Sequence, residues 1–210
     1  MICFPDRSYR DVQEGASRFL QRRTLLLYDL KEDETLEDLQ LNGLKLIQSK
    51  KMFRFGMDSV LLADFARIRE TDLVADFGAG NGVLPLLLYG RKKGSHYFAI
   101  EIQASAAELA ERNAQLNQLQ ERMTVIHADV KDAVAFLPRC SIDAVVCNPP
   151  YGQNEAALAS PRREIAIARN QGADTLDHFF LSAHQVLRGK GKISLIYPAQ
   201  HLLFLMKKLQ

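Results

Sequence analysis

Between residues 73 and 197 the chain carries five short apolar runs, at 73–77, 97–102, 123–127, 142–147 and 192–197. Segments of helical periodicity separate them. This alternation constrains the fold more than any other feature, because parallel neighbouring strands need a long crossover and a helix supplies it. The segment 105–120 puts Leu109, Ala110, Leu116 and Leu119 on one helical face, and 84–88 forms a short apolar helix. A further helix over 176–187 closes on Arg188 and Gly189 as a basic last turn and C-cap. The expectation is an α/β fold with a mainly parallel sheet and helices on both faces.

Upstream, residues 39–55 read as a hairpin turning at Asn42-Gly43, a strong two-residue turn signal. Asp58-Ser59 then caps a helix through Val60, Leu61, Leu62, Ala63 and Phe65. Three parts follow: an N-terminal extension over 1–24, a hairpin and helix packed on the core over 25–70, and the main domain over 71–210. With 210 residues the chain holds one ordinary domain, and 47% hydrophobic with 25% charged residues excludes global disorder. A net charge of +2 tolerates a polyanionic partner without requiring one.

Cys3, Cys140 and Cys147 form no CxxC pair, and their odd number argues against a disulfide framework. The five histidines show no metal-ligand spacing, so no metal is expected. The first ten residues have no apolar core of a signal peptide, and no stretch is long enough to span a bilayer. The expected location is the cytoplasm, with no membrane association.

The first strand of the series runs into Asp76-Phe77-Gly78-Ala79-Gly80-Asn81-Gly82. Glycines there let a ligand approach the backbone closely. The third glycine of a dinucleotide GxGxxG pattern would fall at Val83, so that pattern fails. Glu101 closes the second strand, where a carboxylate accepts from both ribose hydroxyls, and Asp129 follows the third, suited to an exocyclic adenine amine. Any one of Asp76, Glu101 and Asp129 alone reads equally well as a solvated strand end. Together with Gly78, Gly80 and Gly82 they make a nucleotide-type cofactor site.

The fourth strand ends in Asn148-Pro149-Pro150-Tyr151, the most specific signal in the chain. The Asn148 side-chain carbonyl and the Pro149 backbone carbonyl can each accept one N–H of a target amine. This draws the nitrogen lone pair out of conjugation and aims it at a sulfonium methyl. Asn148 therefore belongs to both the cofactor and the catalytic set. The prolines fix the carbonyl direction, and Tyr151 offers a flat face for an extruded base. A plain tight turn is the bland alternative.

In order, Asp76 to Gly82, Glu101, Asp129 and Asn148 to Tyr151 resemble the motifs of class I S-adenosylmethionine-dependent amino-methyltransferases. The stretch Phe53-Arg54-Phe55-Gly56-Met57-Asp58-Ser59-Val60-Leu61-Leu62-Ala63-Asp64-Phe65 is narrower: it resembles the tRNA adenine-N6 methyltransferases that modify a purine beside the anticodon of a valine tRNA. The likeness runs from about Asp33 onward, through residues 162–169 and Tyr197-Pro198-Ala199-Gln200. It implies a Rossmann-like fold, S-adenosylmethionine as cofactor, tRNA as substrate, Asp58 near the methionine end, and Arg162, Arg163 and Arg169 on a substrate-facing loop. Residues 1–24 have no counterpart. Members of the class finish the sheet with an antiparallel hairpin, which is expected to be missing here, leaving the fifth strand's outer edge unpaired.

Three other readings remain open. Protein-glutamine methyltransferases use the same Asn-Pro-Pro-Tyr turn on a planar amide, and a guanine-N2 enzyme is related chemistry. From another class, the chain could be a non-catalytic cofactor-binding subunit, although such subunits lose the asparagine kept here as Asn148. An NAD-dependent oxidoreductase has no use for Asn148-Pro149.

Overall fold

The computed structural model describes residues 29–52, 54–149 and 172–208. Strands β1 (Glu34–Asp38) and β2 (Lys45–Ser49) form an antiparallel pair in which Asp38 faces Lys45. The connection turns at Asn42 and Gly43, with φ of 52° and 76°, and the Leu44 amide donates to the Leu41 carbonyl at 3.0 Å. Left-handed values at two successive residues are what a two-residue hairpin turn needs. The expected turn is present, but the first strand lies earlier than the apolar stretch suggested, in the acidic segment before Leu39.

Helix α1 (Met57–Phe65) follows, and its N-cap is Gly56, with no side-chain capping bond. The expected Asp58-Ser59 cap is thus corrected. Both residues sit inside the first turn, Asp58 exposed and Ser59 buried. An acidic side chain there still complements the helix dipole. At the other end the Lys93 ammonium donates to the carbonyls of Ala63 and Ala66, each at 2.9 Å, which satisfies helix-end acceptors that α1 cannot pair itself.

The main sheet holds β3 (Leu73–Phe77), β4 (His96–Glu101), β5 (Met123–His127), β6 (Ile142–Cys147) and β7 (Leu187–Leu195). Its order is β5-β4-β3-β6-β7, and all four pairings are parallel. The order reverses between β4 and β6, on either side of β3, and such switch points are where open α/β sheets bind ligands.

Helices α2 (Val83–Gly90) and α3 (Ala104–Leu116) lie between the strands, as does α4 (Gly172–Val186), and α5 (Leu202–Lys208) comes last. Two apolar cores cover the two faces. One joins Leu46, Leu62, Val74, Leu86, Ala110 and Val146 with α1, α2 and α3, and the other joins Ala75, Phe77, Val145, Phe179 and Val186 with α4. Alternation along β3 therefore sends Val74 and Asp76 to one face and Ala75 and Phe77 to the other.

Several boundaries differ from the sequence reading, and β4 starts and ends one residue earlier than the run 97–102. Helix α4 ends at Val186, so Arg188 and Gly189 are not its cap but lie inside β7, whose pairing with β6 shifts register between Ile142 and Ala144. Glycine is tolerated at such an irregularity. Helix α3 ends at Leu116, and Leu119 is buried in the loop beyond it.

Candidate cofactor and catalytic site

At the carboxyl end of β3 the chain turns through Gly78, Gly80 and Gly82, with φ of +74°, +55° and +77°. The amides of Gly78 and Ala79 both donate to the Ile100 carbonyl, at 2.9 and 3.0 Å, and Gly80 donates to Glu101 Oε2 at 2.8 Å. The three glycines are not equivalent. A Cβ on Gly82 would stand 2.5 Å from Met123 Cε and 3.2 Å from Ala110 Cβ, so this residue lets α3 and β5 pack closely. A Cβ on Gly80 would meet nothing within 4 Å.

The space beside Gly80 is thus the side on which a ligand can approach. Both positions carry left-handed strain, about 1–2 kcal/mol for an alanine, but only Gly82 adds overpacking, about 1–3 kcal/mol. Gly82→Ala should therefore lower the melting temperature clearly more than Gly80→Ala, and Gly80→Ala should weaken ligand binding more per unit of lost stability. Thermal melts and calorimetry on the two variants check this; equal melting losses contradict the division.

Asp76 lies directly below this turn, 1% exposed. Neither of its carboxylate oxygens has a hydrogen-bond partner among the described residues. Burial pushes its carboxyl well above the usual range, and the nearby Glu101 adds to the shift. Glu101 is also buried, which raises its carboxyl, while the Gln103 and Gly80 amides donate to it and oppose the rise. Each of its two oxygens takes one of these amides and the Ile102 amide adds to them, which still leaves the carboxylate acceptor capacity for ligand hydroxyls.

Asp129 is half-buried and caps the short 3₁₀ helix Val130–Ala135, accepting from the Lys131 amide at 3.0 Å and pairing with its ammonium at 3.1 Å. Burial works against its charge, but these bonds outweigh it and hold the carboxyl below its ordinary value.

The register brings these groups to one line. Phe77 is paired with Ile100 on one side and Cys147 on the other, so Gly78, Glu101 and Asn148 stand one step beyond, side by side at the carboxyl ends of β3, β4 and β6. Asn148 is half-buried and Pro149 buried. Burial pushes the Cys147 thiol up, with Asp76 adding to it, which keeps this neighbour of the site an un-ionised packing group. Pro150, Tyr151 and the arginines at 162, 163 and 169 lie outside the described residues.

An orphaned, fully buried carboxylate is costly, and a ligand bringing a donor or a positive charge relieves that cost. Beside it stand an open glycine backbone and a second carboxylate with spare acceptor capacity. These residues fit S-adenosylmethionine, which carries an ammonium, a sulfonium and ribose hydroxyls. A separate cavity of about 180 Å³ lies between the hairpin and α3, lined by Lys31, Asp33, Glu34, Glu108 and Arg112 among others. Its charges pair with one another: Arg112 with Glu34 at 2.6 Å, Lys31 with Glu108 at 2.8 Å, and Lys51 with Asp33 at 3.3 Å. Nothing there corresponds to the orphaned Asp76.

Sequence reasoning missed the polar groups that hold this architecture. Asn113 is fully buried in α3, and the Gln48 side chain, also buried, accepts from the Phe55 amide at 3.1 Å just before α1. The available signal was Asn113 and Asn117, four apart along a helix whose Leu109 and Ala110 face the core.

Comparison with known proteins agrees with this geometry. The description "methyltransferase small domain" matches residues 47–204. The tRNA1(Val) (adenine(37)-N6)-methyltransferase of Aliivibrio salmonicida is 33% identical over 141 residues, covering 67% of this chain and 58% of that protein. A protein of the same name from Shewanella baltica is 31% identical over 149 residues, covering 70% of this chain and 61% of that protein. The chain thus spans about 58–61% of the length of these curated relatives.

Among solved structures, a predicted O-methyltransferase of Agrobacterium tumefaciens superposes with a TM-score of 0.55 at 25% identity, covering 72% of this chain and 66% of that one. An O-methyltransferase of Thermotoga maritima gives 0.54 at 23%, covering 76% of this chain and 51% of that one, a likeness of fold. The parallel sheet, the glycine turn over an orphaned carboxylate and a match across most of its length agree: the chain belongs to the methyltransferase small domain family, with the Rossmann-like fold of class I S-adenosylmethionine-dependent methyltransferases.

Proposed function

We propose that this chain transfers a methyl group from S-adenosylmethionine to the N6 amine of an adenine in tRNA. One observation carries the reading: Asn148 and Pro149 leave β6 beside the glycine turn, on the strand paired with β3, above a buried carboxylate that lacks a partner. The tRNA substrate is supported by the names of the relatives and by the segment from Phe53 to Phe65.

S-Adenosylmethionine, when bound, supplies a methyl group on a positively charged sulfur that leaves as a neutral thioether. Asp76 and the open backbone at Gly78 and Gly80 would hold its methionine part, with Asp58 near that end. Glu101 would take the ribose hydroxyls and Asp129 the adenine amine. Gly82 serves the site by packing the turn against α3.

On the substrate side, the Asn148 side-chain oxygen and the Pro149 carbonyl each accept one N–H of the target amine. The nitrogen would lose conjugation with its ring, and its freed lone pair would take the methyl group as the C–S bond gives its electrons back to sulfur. The proton then departs to solvent, so no side chain with a tuned pKa is required. Tyr151 stacks on the extruded base. Catalysis is positioning plus polar preorganisation.

The test uses methyl-labelled cofactor with total tRNA and, separately, with a glutamine-bearing protein pool. Label recovered as N6-methyladenosine is the expected result. Label in protein glutamine and none in RNA would overturn the substrate while leaving Asn148 its role.

A further inference from the structure

We propose that Asn113 is a positioning residue of the cofactor site, fixing the glycine turn to the N-terminal hairpin through its side-chain amide. The inference builds on the cofactor reading above. Asn113 Oδ1 accepts from the Ile47 amide at 2.7 Å, while Nδ2 donates to the Ile47 carbonyl at 3.0 Å and to the Asn81 carbonyl at 2.9 Å. Asn81 belongs to the turn between Gly80 and Gly82. The orientation of the amide is fixed, because a flipped one would set its NH₂ against the Ile47 N–H.

One helical turn later, Asn117 repeats half of this arrangement. Its Oδ1 accepts from the Lys45 amide at 2.9 Å and its Nδ2 donates to the Lys45 carbonyl at 2.7 Å. Four residues of helix advance about 6 Å and two residues of strand about 6.6 Å, so the spacings match. Strand β2 pairs with β1 on one side. On its other edge Lys45 and Ile47, alternate residues, are met by the two asparagines as a third strand would meet them. Only Asn113 extends the ladder to the glycine turn.

The hairpin is in turn joined to α1, since the Gln48 side chain accepts from the Phe55 amide at 3.1 Å. A single fully buried amide thus lies between the turn under the cofactor and the strand leading to Asp58. Its two bonds to Ile47 are buried and the one to Asn81 is part-buried, so each loss is costly. A purely structural clamp needs the Ile47 bonds alone; the bond to Asn81 is the part directed at the site.

The pair supplies its own control. Asn117→Ala loosens the hairpin without touching the turn, whereas Asn113→Ala loosens both. Amide hydrogen exchange of the cofactor-free full chain, corrected for global stability, should accelerate about tenfold at Gly80 and Gly82 in Asn113→Ala, the scale of one lost buried hydrogen bond. The same amides should stay unchanged in Asn117→Ala. Should the alanine variant fail to fold, Asn113→Asp carries the comparison, because it keeps the acceptor for the Ile47 amide and removes the donations to the Ile47 and Asn81 carbonyls.

Calorimetry with S-adenosylhomocysteine should show affinity about tenfold weaker for the Asn113 variants and within about twofold for Asn117→Ala. Equal exchange at the turn in the two variants overturns the positioning role. If the unsubstituted chain does not bind S-adenosylhomocysteine, the cofactor reading fails instead, and the exchange comparison still decides what Asn113 does.

Discussion

Replacing Asn148 by alanine is expected to lower turnover about 10²–10³-fold, the scale seen when one preorganised polar group is removed from a reacting centre. Cofactor affinity should stay within about twofold, because Asn148 is one member of a cofactor set whose other groups lie on α1, β3, β4, the glycine turn and the loop after β5. The separation is informative. A residue that merely shaped the strand end would change folding, and with it binding and turnover together. An acceptor for the amine makes its strongest interaction as the nitrogen loses conjugation, so its loss falls on kcat. Single-turnover rates at saturating cofactor, set beside calorimetric affinity, measure the two quantities independently. A variant that binds normally and turns over normally would remove Asn148 from the chemistry and leave the turn after β6 as architecture.

The parts of this arrangement legible in the sequence were those whose signal is local. Strands β3, β5 and β6 fall where mainly apolar runs begin and stop, and the Asn42-Gly43 turn is written in two residues. Strand β1 was invisible because Glu34–Asp38 is mostly acidic; its place comes from pairing with β2 and from the Arg112–Glu34 ion pair, a contact across 78 positions. Strand β7 was started too late because Arg188 and Gly189 read as the end of the preceding helix, whereas they lie inside the strand beside its register shift.

The residues proposed for the cofactor were read from their spacing after strands, a property of the sheet edge. The asparagine ladder was not, because a buried amide looks like a surface one until its backbone partners are known. Ser59 escaped for a related reason: an Asp-Ser pair before an apolar run reads as a cap, and only packing shows the hydroxyl residue inside the first turn.

Asp76 gives the other large expected effect, and it has opposite signs for stability and for binding. Its carboxyl is fully buried, lacks a partner and has its pKa raised well above 3.8 by burial and by Glu101. A carboxyl with a raised folded pKa contributes most to stability below its unfolded value and loses that contribution as pH rises through the folded value. At neutral pH and above, the ligand-free protein therefore carries a cost at this position. Asp76→Asn removes the ionisable group at nearly constant shape, so the ligand-free variant should be more stable at pH 7–8. The gain should be about 1–3 kcal/mol, at roughly 2–4 °C in melting temperature per kcal/mol for a chain of this length.

The advantage should shrink as pH falls toward the unfolded value, where Asp76 in the parent is neutral as well; Glu101, raised in the same direction, leaves both proteins some residual slope. Binding moves the other way. The orphaned carboxylate is the acceptor a cationic cofactor would engage, so its loss should weaken S-adenosylmethionine by about tenfold or more, the cost of a hydrogen bond to a charged group. Melts across pH with and without cofactor separate the two effects. A variant both less stable without ligand and unchanged in affinity would mean that Asp76 supports the turn and not the cofactor.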